Sequence, residues 1–163
     1  MSFDTADIFP ILWLTLRVSV TAVCISALIG IPLGIWLGMS RHSGKRLLAA
    51  MIHTGMALPP VVVGLVLYIL LSKSGPIGFL GWLFTVEAMV VAQTILALPF
   101  VVGITMSAVA AIPDELPDQL RTMGASEQQC RWTILRETRH GVLLAVAAAF
   151  GRSVSEVGAV LMI

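Results

Sequence analysis

Residues 118–135 read DQLRTMGASEQQCRWTIL, a polar stretch with both signs of charge, one central glycine and almost no apolar run. Its punctuation predicts two short helices joined by a bend. Pro117 suits a first helical position, where its missing N–H is not needed. Asp118 follows in the first turn, where a negative charge faces the positive end of the helix dipole. Gly124 suits the left-handed residue that closes a helix. Ser126 and Gln129 form an S-x-x-Q capping box that opens the next one. In that second helix Trp132 and Leu135 lie three apart and offer an apolar edge, leaving Glu127, Arg131, Arg136 and Glu137 outward. A solvated linker is the alternative, but a linker has no need of two caps around one glycine. The expectation is a rigid elbow shaped for docking.

Outward from this elbow the chain is mostly oil. Of its 163 residues 58% are hydrophobic and 12% charged, and its mean hydropathy is +0.97. A soluble domain carries about a quarter charged residues, so lipid has to be the solvent for most of this surface. The net charge of +1 supplies no basic face for nucleic acid. Cys24 and Cys130 have neither disulfide nor metal-ligand spacing. The acidic start MSFDTAD is a poor secretory leader.

One transmembrane domain over 1–163 is expected, an all-α polytopic bundle of about four spans. The spans are placed at about 8–39, 47–71, 84–111 and 141–163, with a cytoplasmic loop over 113–140. Helices are expected because so few apolar segments cannot close a barrel. Seven cations in the loop after the first span and in the polar segment, against Lys73 alone in the loop between spans two and three, put the first two inside and the N-terminus outside. The tail EVGAVLMI gives the fourth span no polar end, and a longer protein with at least one further span is expected.

Charges and prolines inside the spans are the next candidates. Arg152 and Glu156 share one helix face, roughly 16–22 Å in from Gly141 at 1.5 Å per residue. Charges at that depth cost about 2.5–3.5 kcal/mol each on insertion scales, so they pair or face water. The pair either fixes helix packing or, with Ser153, lines or braces a path. Arg17 is read as snorkelling outward, and Glu87 as interfacial. Pro59 and Pro60 fall mid-span, Pro99 in span three and Pro32 in span one. Each removes a backbone donor and kinks its helix; kinks at similar depth in two neighbouring spans favour a cavity between them. The stripe Gly30, Gly34, Gly38 allows a close helix crossing. No G-x-x-x-x-G-K-[ST] is present and no nucleophile, acid–base or metal constellation is suggested, so the chain is not read as an enzyme and no metal site is assigned.

The elbow resembles the cytoplasmic coupling (EAA) loop of importer-type ABC transporter permeases. Asp118, Gln119 and Leu120 stand at the acidic and two small positions, Gly124, Ala125 and Ser126 at the glycine and the two that follow, and Ile134 at the hydrophobic ten residues on. Gln119 and Leu120 replace the small residues, and Arg136 and Glu137 stand where Leu-Pro is usual. FGRSVSEVGA, residues 150–159, is similar to the signature of molybdate and sulfate permeases; ALPPVVVGLVLYILL (57–71) and AQTILALPF (92–100) resemble their second and third spans. SGPIGFLGWLF and the long stretch from LRTMGASEQQ to GRSVSEVG look most like the tungstate branch. The resemblance runs from Thr15 to the end. It implies a type I ABC importer transmembrane fold of five or more spans, and a permease for tungstate, or alternatively molybdate or sulfate, working by ATP-driven alternating access in the cytoplasmic membrane of a bacterium or archaeon. It also implies a second permease copy, a cytoplasmic ATPase dimer that binds the ATP so that this chain needs no cofactor, and an extracytoplasmic binding protein. Arg152, Ser153, Glu156, Pro59 and Pro60 become candidates for the path or gate. An ATPase-independent transporter or channel, and a membrane scaffold subunit, are the readings from other classes.

Overall fold

The computed structural model describes residues 5–40, 44–113 and 115–160, and side chains within 9–155 of these. Among the described residues the protein is all-α. The helices are α1 (Thr5–Met39), α2 (Lys45–Met56), α3 (Pro60–Leu71), α4 (Val86–Ala110), α5 (Glu115–Thr122), α6 (Glu127–Glu137) and α7 (Arg139–Val160). A 3-10 turn at Gly78–Leu80 lies between α3 and α4.

The centre is α4, which packs against α1, α7, α2 and α3. Its inward face carries Ala88, Ala92, Leu96, Ala97, Val101, Val102 and Met106, all buried. Small residues let the neighbours come close. On α1 a β-carbon added at Gly30 would stand 2.9 Å from Val101 Cγ1, at Gly34 2.7 Å from Thr105 Cβ, and at Gly38 2.6 Å from Val109 Cβ. These are shorter than any carbon–carbon contact, so the glycine stripe is what allows α1 to lie on α4. Polar atoms fasten the same seams: Ser26 Oγ donates to the Thr94 carbonyl at 3.3 Å, and Ser153 Oγ on α7 donates to Gln93 Oε1 on α4 at 3.0 Å. Outward, Leu28, Leu47, Val61 and Leu143 are exposed, the arrangement expected where acyl chains are the solvent.

By length and composition, α1 from Phe9 and α4 can each cross a membrane alone, and α2 with α3 makes a third crossing if taken together. The expected second span is thus not one helix: α2 and α3 meet at 94°. Each has 12 residues, which at 1.5 Å per residue is roughly 18 Å, well short of a hydrocarbon core of about 30 Å. α7 has 22 residues, about 33 Å at 1.5 Å per residue, the length of a further crossing. The last part of the expected fourth span, residues 161–163, lies outside the described residues.

The prolines divide in effect. Both α1, with Pro10 and Pro32, and α4, with Pro99, continue through their prolines. Only the tandem pair breaks a helix. Two adjacent rings remove two successive donors, and a residue before proline is pushed to extended backbone; Pro59 sits at φ −67°, ψ 133°. Nor do spans two and three part where their prolines lie. A β-carbon on Gly55 would be 3.1 Å from Pro99 Cγ, so they pack together there instead of opening the expected cavity.

Candidate functional site

Residues 115–137 fold as the elbow the sequence predicts, with one boundary moved. α5 begins at Glu115, so Pro117 lies inside its first turn, where its lack of an N–H is equally harmless. α5 ends in a complete Schellman motif: the Ala125 N–H donates to the Leu120 carbonyl at 3.0 Å and the Gly124 N–H to the Arg121 carbonyl at 3.0 Å. Gly124 takes φ +85°, a region open to glycine at little cost. Ser126 then caps α6 reciprocally. Its backbone N–H donates to Gln129 Oε1 at 2.7 Å, and Ser126 Oγ accepts from the Gln129 N–H at 3.3 Å. Such a cap is worth about 1 kcal/mol.

A clasp closes the bend from outside. Arg121 Nε donates to Glu127 Oε1 at 2.9 Å, while Nη1 donates to Asp118 Oδ1 at 3.1 Å. The hydrogen bond and then the charge of Arg121 hold the Glu127 carboxyl below the usual glutamate range. The same hydrogen bond raises Arg121 further. Sequence reading missed this pair, because residues six apart face each other on no helix; the left-handed glycine turns the second helix back and brings them together.

The elbow is anchored differently from expectation. Trp132 is 67% exposed, so the edge that rests on the membrane helices is not Trp132 with Leu135. It is Cys130 and Ile134, at 0% and 1% exposure, one turn apart. Ile134 packs with Ile35 of α1 and Val109 of α4. Leu135 is half-buried, and Glu127, Arg131, Arg136 and Glu137 are exposed as expected. Asp118, Gln119, Gly124 and Ser126 are exposed, Leu120 and Ala125 half-buried. Met123, unmarked by the sequence reading, projects at the apex with 83% exposure. A groove of about 730 Å³ runs between α1 and α6, past Trp36, Gln128 and Trp132.

The second cluster lies in the bundle. Arg152 Nη2 donates to the Leu58 carbonyl at 3.2 Å, and its guanidinium carbon lies 5.0 Å from the Phe100 ring centre, within cation–π range. Ser153 is buried against Gln93, itself 1% exposed. Pro59 is exposed and Pro60 half-buried. The Glu156 side chain, and with it the expected pairing to Arg152, lies outside the described residues. Arg17 is exposed and shares an outer depression of about 330 Å³ with Trp82 and Glu87. Cys24 is exposed and Cys130 buried, both as free thiols. Among the described residues no His, Cys, Asp or Glu cluster could hold a metal.

A helical membrane bundle carrying a capped, polar elbow defines a class, the multi-span transport subunit. Residues 30–163 match the family model described as binding-protein-dependent transport system inner membrane component, and the chain belongs to that family. It is 39% identical over 163 residues to a tungstate uptake system permease protein of Peptoclostridium acidaminophilum, covering all of this chain and 71% of the relative. It is 44% identical over 149 residues to a probable anion ABC transporter permease protein of Haloferax volcanii, covering 91% of this chain and 64% of the relative. A molybdenum transport system permease protein of Azotobacter vinelandii is 32% identical over 158 residues, covering 92% and 70%. The chain thus spans about two thirds of the length of these curated relatives.

Proposed function

We propose that this chain is the greater part of the membrane subunit of an ABC importer for a tetrahedral oxyanion, tungstate before molybdate or sulfate. The observation that carries the reading is the elbow. A helix pair closed by a Schellman motif, a capping box and an ionic clasp, and anchored through Ile134 between α1 and α4, can pass force where a loose loop cannot. The reading is supported by relatives named as tungstate, anion and molybdenum permeases.

In this mechanism a cytoplasmic ATPase dimer binds and hydrolyses ATP and closes on Asp118, Gln119, Leu120, Gly124, Ala125 and Ser126, with Met123 as the apical knob. Ile134 carries the push into α1 and α4, and two permease copies rock between outward-open and inward-open states. An extracytoplasmic binding protein delivers the anion and sets most of the preference. The N-terminus lies outside and the elbow in the cytoplasm of a prokaryotic cell. Arg152, Ser153, Glu156, Pro59 and Pro60 belong to the path or its gate.

The test uses the full-length protein with its ATPase and binding protein in liposomes. ATP-dependent tungstate uptake, read by elemental analysis with molybdate and sulfate as competitors, is expected. The ATPase is expected to co-purify with the wild type and to be lost with Gly124→Pro. Uptake that persists without ATP would instead favour an ATPase-independent transporter, and retention of the ATPase by Gly124→Pro would remove the elbow from the coupling role.

A further inference from the structure

The break between α2 and α3 leaves the Leu58 carbonyl outside both helices. In an unbroken helix its donor would be the Val62 N–H. Here that N–H turns to the Pro59 carbonyl at 3.0 Å, as the Val63 N–H does at 3.4 Å. A peptide carbonyl at membrane depth needs a donor, because lipid offers none. The donor comes from far along the chain. Arg152, 94 residues later on α7, places Nη2 at 3.2 Å from Leu58 O.

The guanidinium is held on its other side. Its carbon lies 5.0 Å from the ring centre of Phe100, which follows Pro99 on α4. Pro99 in turn touches Gly55 near the end of α2. One residue further along α7, Ser153 bonds to the buried Gln93 of α4. The bend and the middle of α4 therefore meet at one cation on α7, with the Gly55–Pro99 and Ser153–Gln93 contacts beside it. Arginine suits this junction better than lysine, because a planar fork can lie over an aromatic face and still donate from its edge.

We infer that Arg152 is the positioning residue of the α2–α3 bend. Its guanidinium fastens α7 to the bend through the Leu58 carbonyl, with Phe100 as the platform, so that the bend follows α7 instead of flexing independently. This deepens the reading of the chain as a rocking permease and rests on it. Of the two roles, path or gate, the cluster at Arg152 thereby takes the gate: it is a mechanical joint between two moving parts rather than a contact made to the transported anion.

The test is a distance measurement that needs no transport. In the full-length complex in lipid nanodiscs, spin labels at Leu47→Cys on α2 and Ile69→Cys on α3, both exposed positions, report the bend once the exposed Cys24 is changed to Ser. Wild type is expected to give a narrow distance distribution. Arg152→Gln is expected to raise the population of other distances roughly three- to tenfold, the effect of losing one interhelical hydrogen bond in a membrane. Arg152→Lys should restore part of the narrow peak, and Phe100→Leu should broaden it less than Arg152→Gln. An Arg152→Gln distribution as narrow as wild type overturns the inference, and so does a loss of uptake with unchanged distances, which would place Arg152 on the anion. If Arg152→Gln does not assemble, Phe100→Leu decides: broadening supports the joint, and an unchanged distribution overturns it. A wild-type complex that takes up no oxyanion would instead sink the transport reading and leave the distances standing.

Discussion

The α1–α4 seam and the α5–α6 elbow both hold two helices at one fixed angle, by opposite means. The seam does it by leaving atoms out. Gly30, Gly34 and Gly38 bring backbone against Val101, Thr105 and Val109, with no space for a methyl group. The elbow does it by adding polar partners: two turn hydrogen bonds, a reciprocal cap and a clasp. The solvent explains the difference. Lipid tails are as apolar as leucine, so helices gain from association there mainly through close packing. In water an exposed helix end has bare donors and acceptors to satisfy, and caps settle its direction.

If that contrast is right, the seam should fail abruptly and the elbow by degrees. The largest effect is expected from Gly34→Val, whose β-carbon would sit 2.7 Å from Thr105 Cβ and 2.9 Å from the Val102 carbonyl oxygen. Backbone cannot step aside as a side-chain tip can, and overpacking of this kind costs about 3 kcal/mol or more. Loss of monodisperse protein on size exclusion is expected, whereas Gly44→Ala, where a β-carbon would meet nothing within 4 Å, should behave as wild type. Next comes Gly124→Pro, which fixes φ near −65° where +85° is needed and deletes the donor to the Arg121 carbonyl. It should release the ATPase proposed as partner while leaving the melting temperature of the bundle almost unmoved. Gly124→Ala meets no neighbour, so its cost is the left-handed backbone alone, about 1–2 kcal/mol. A large drop in bundle melting temperature with either Gly124 variant would break the contrast.

Ser126→Ala should cost about 1 kcal/mol, read as faster amide exchange confined to the start of α6. The smallest effect belongs to the clasp, since Arg121 and Glu127 are both well exposed and such pairs contribute little and are screened by salt. Arg121→Gln should loosen the elbow slightly at low ionic strength and not at all in high salt. Its pH dependence has a definite sign. The Glu127 carboxyl is held below its ordinary value by Arg121. Its contribution is therefore present above the unfolded glutamate pKa, about 4.3, and is lost as pH falls through the lowered folded value. The protection of the α6 amides, the intrinsic exchange rate divided by the observed rate at each pH, should be flat across neutral pH and fall only in acid, in wild type but not in Glu127→Gln.

The same division governs what could be read from the residues. The elbow was legible because each device is local: Gly124, Ser126 and Gln129 lie within six positions, and their chemistry names their conformation. The glycine stripe was legible as a surface for close crossing, but its partner was not, since nothing in Gly30, Gly34 and Gly38 specifies α4. The bend was legible as a defect at Pro59–Pro60. Its size, 94°, was not, because that depends on where α2 finds support against Pro99 and Gly103. Least legible were the Arg121–Glu127 clasp, which crosses a turn, and the hydrogen bond from Arg152 to Leu58, which crosses most of the chain. The anchoring edge was read as Trp132 with Leu135; Ile134 was marked only through the family resemblance and Cys130 not at all, because a three-residue spacing of apolar side chains does not tell which face of a short helix meets the bundle.

The distance in sequence between Leu58 and Arg152 has a consequence for how the protein is made. At synthesis rates of about 5–20 residues per second, the 94 residues between them take roughly 5–20 seconds to emerge. For that interval the Leu58 carbonyl lacks its Arg152 donor, and the bend has support only from α4, through Pro99 and Gly103. A nascent chain halted anywhere before α7 would carry an unfinished corner, the kind of feature that membrane proteases and insertion chaperones can recognise.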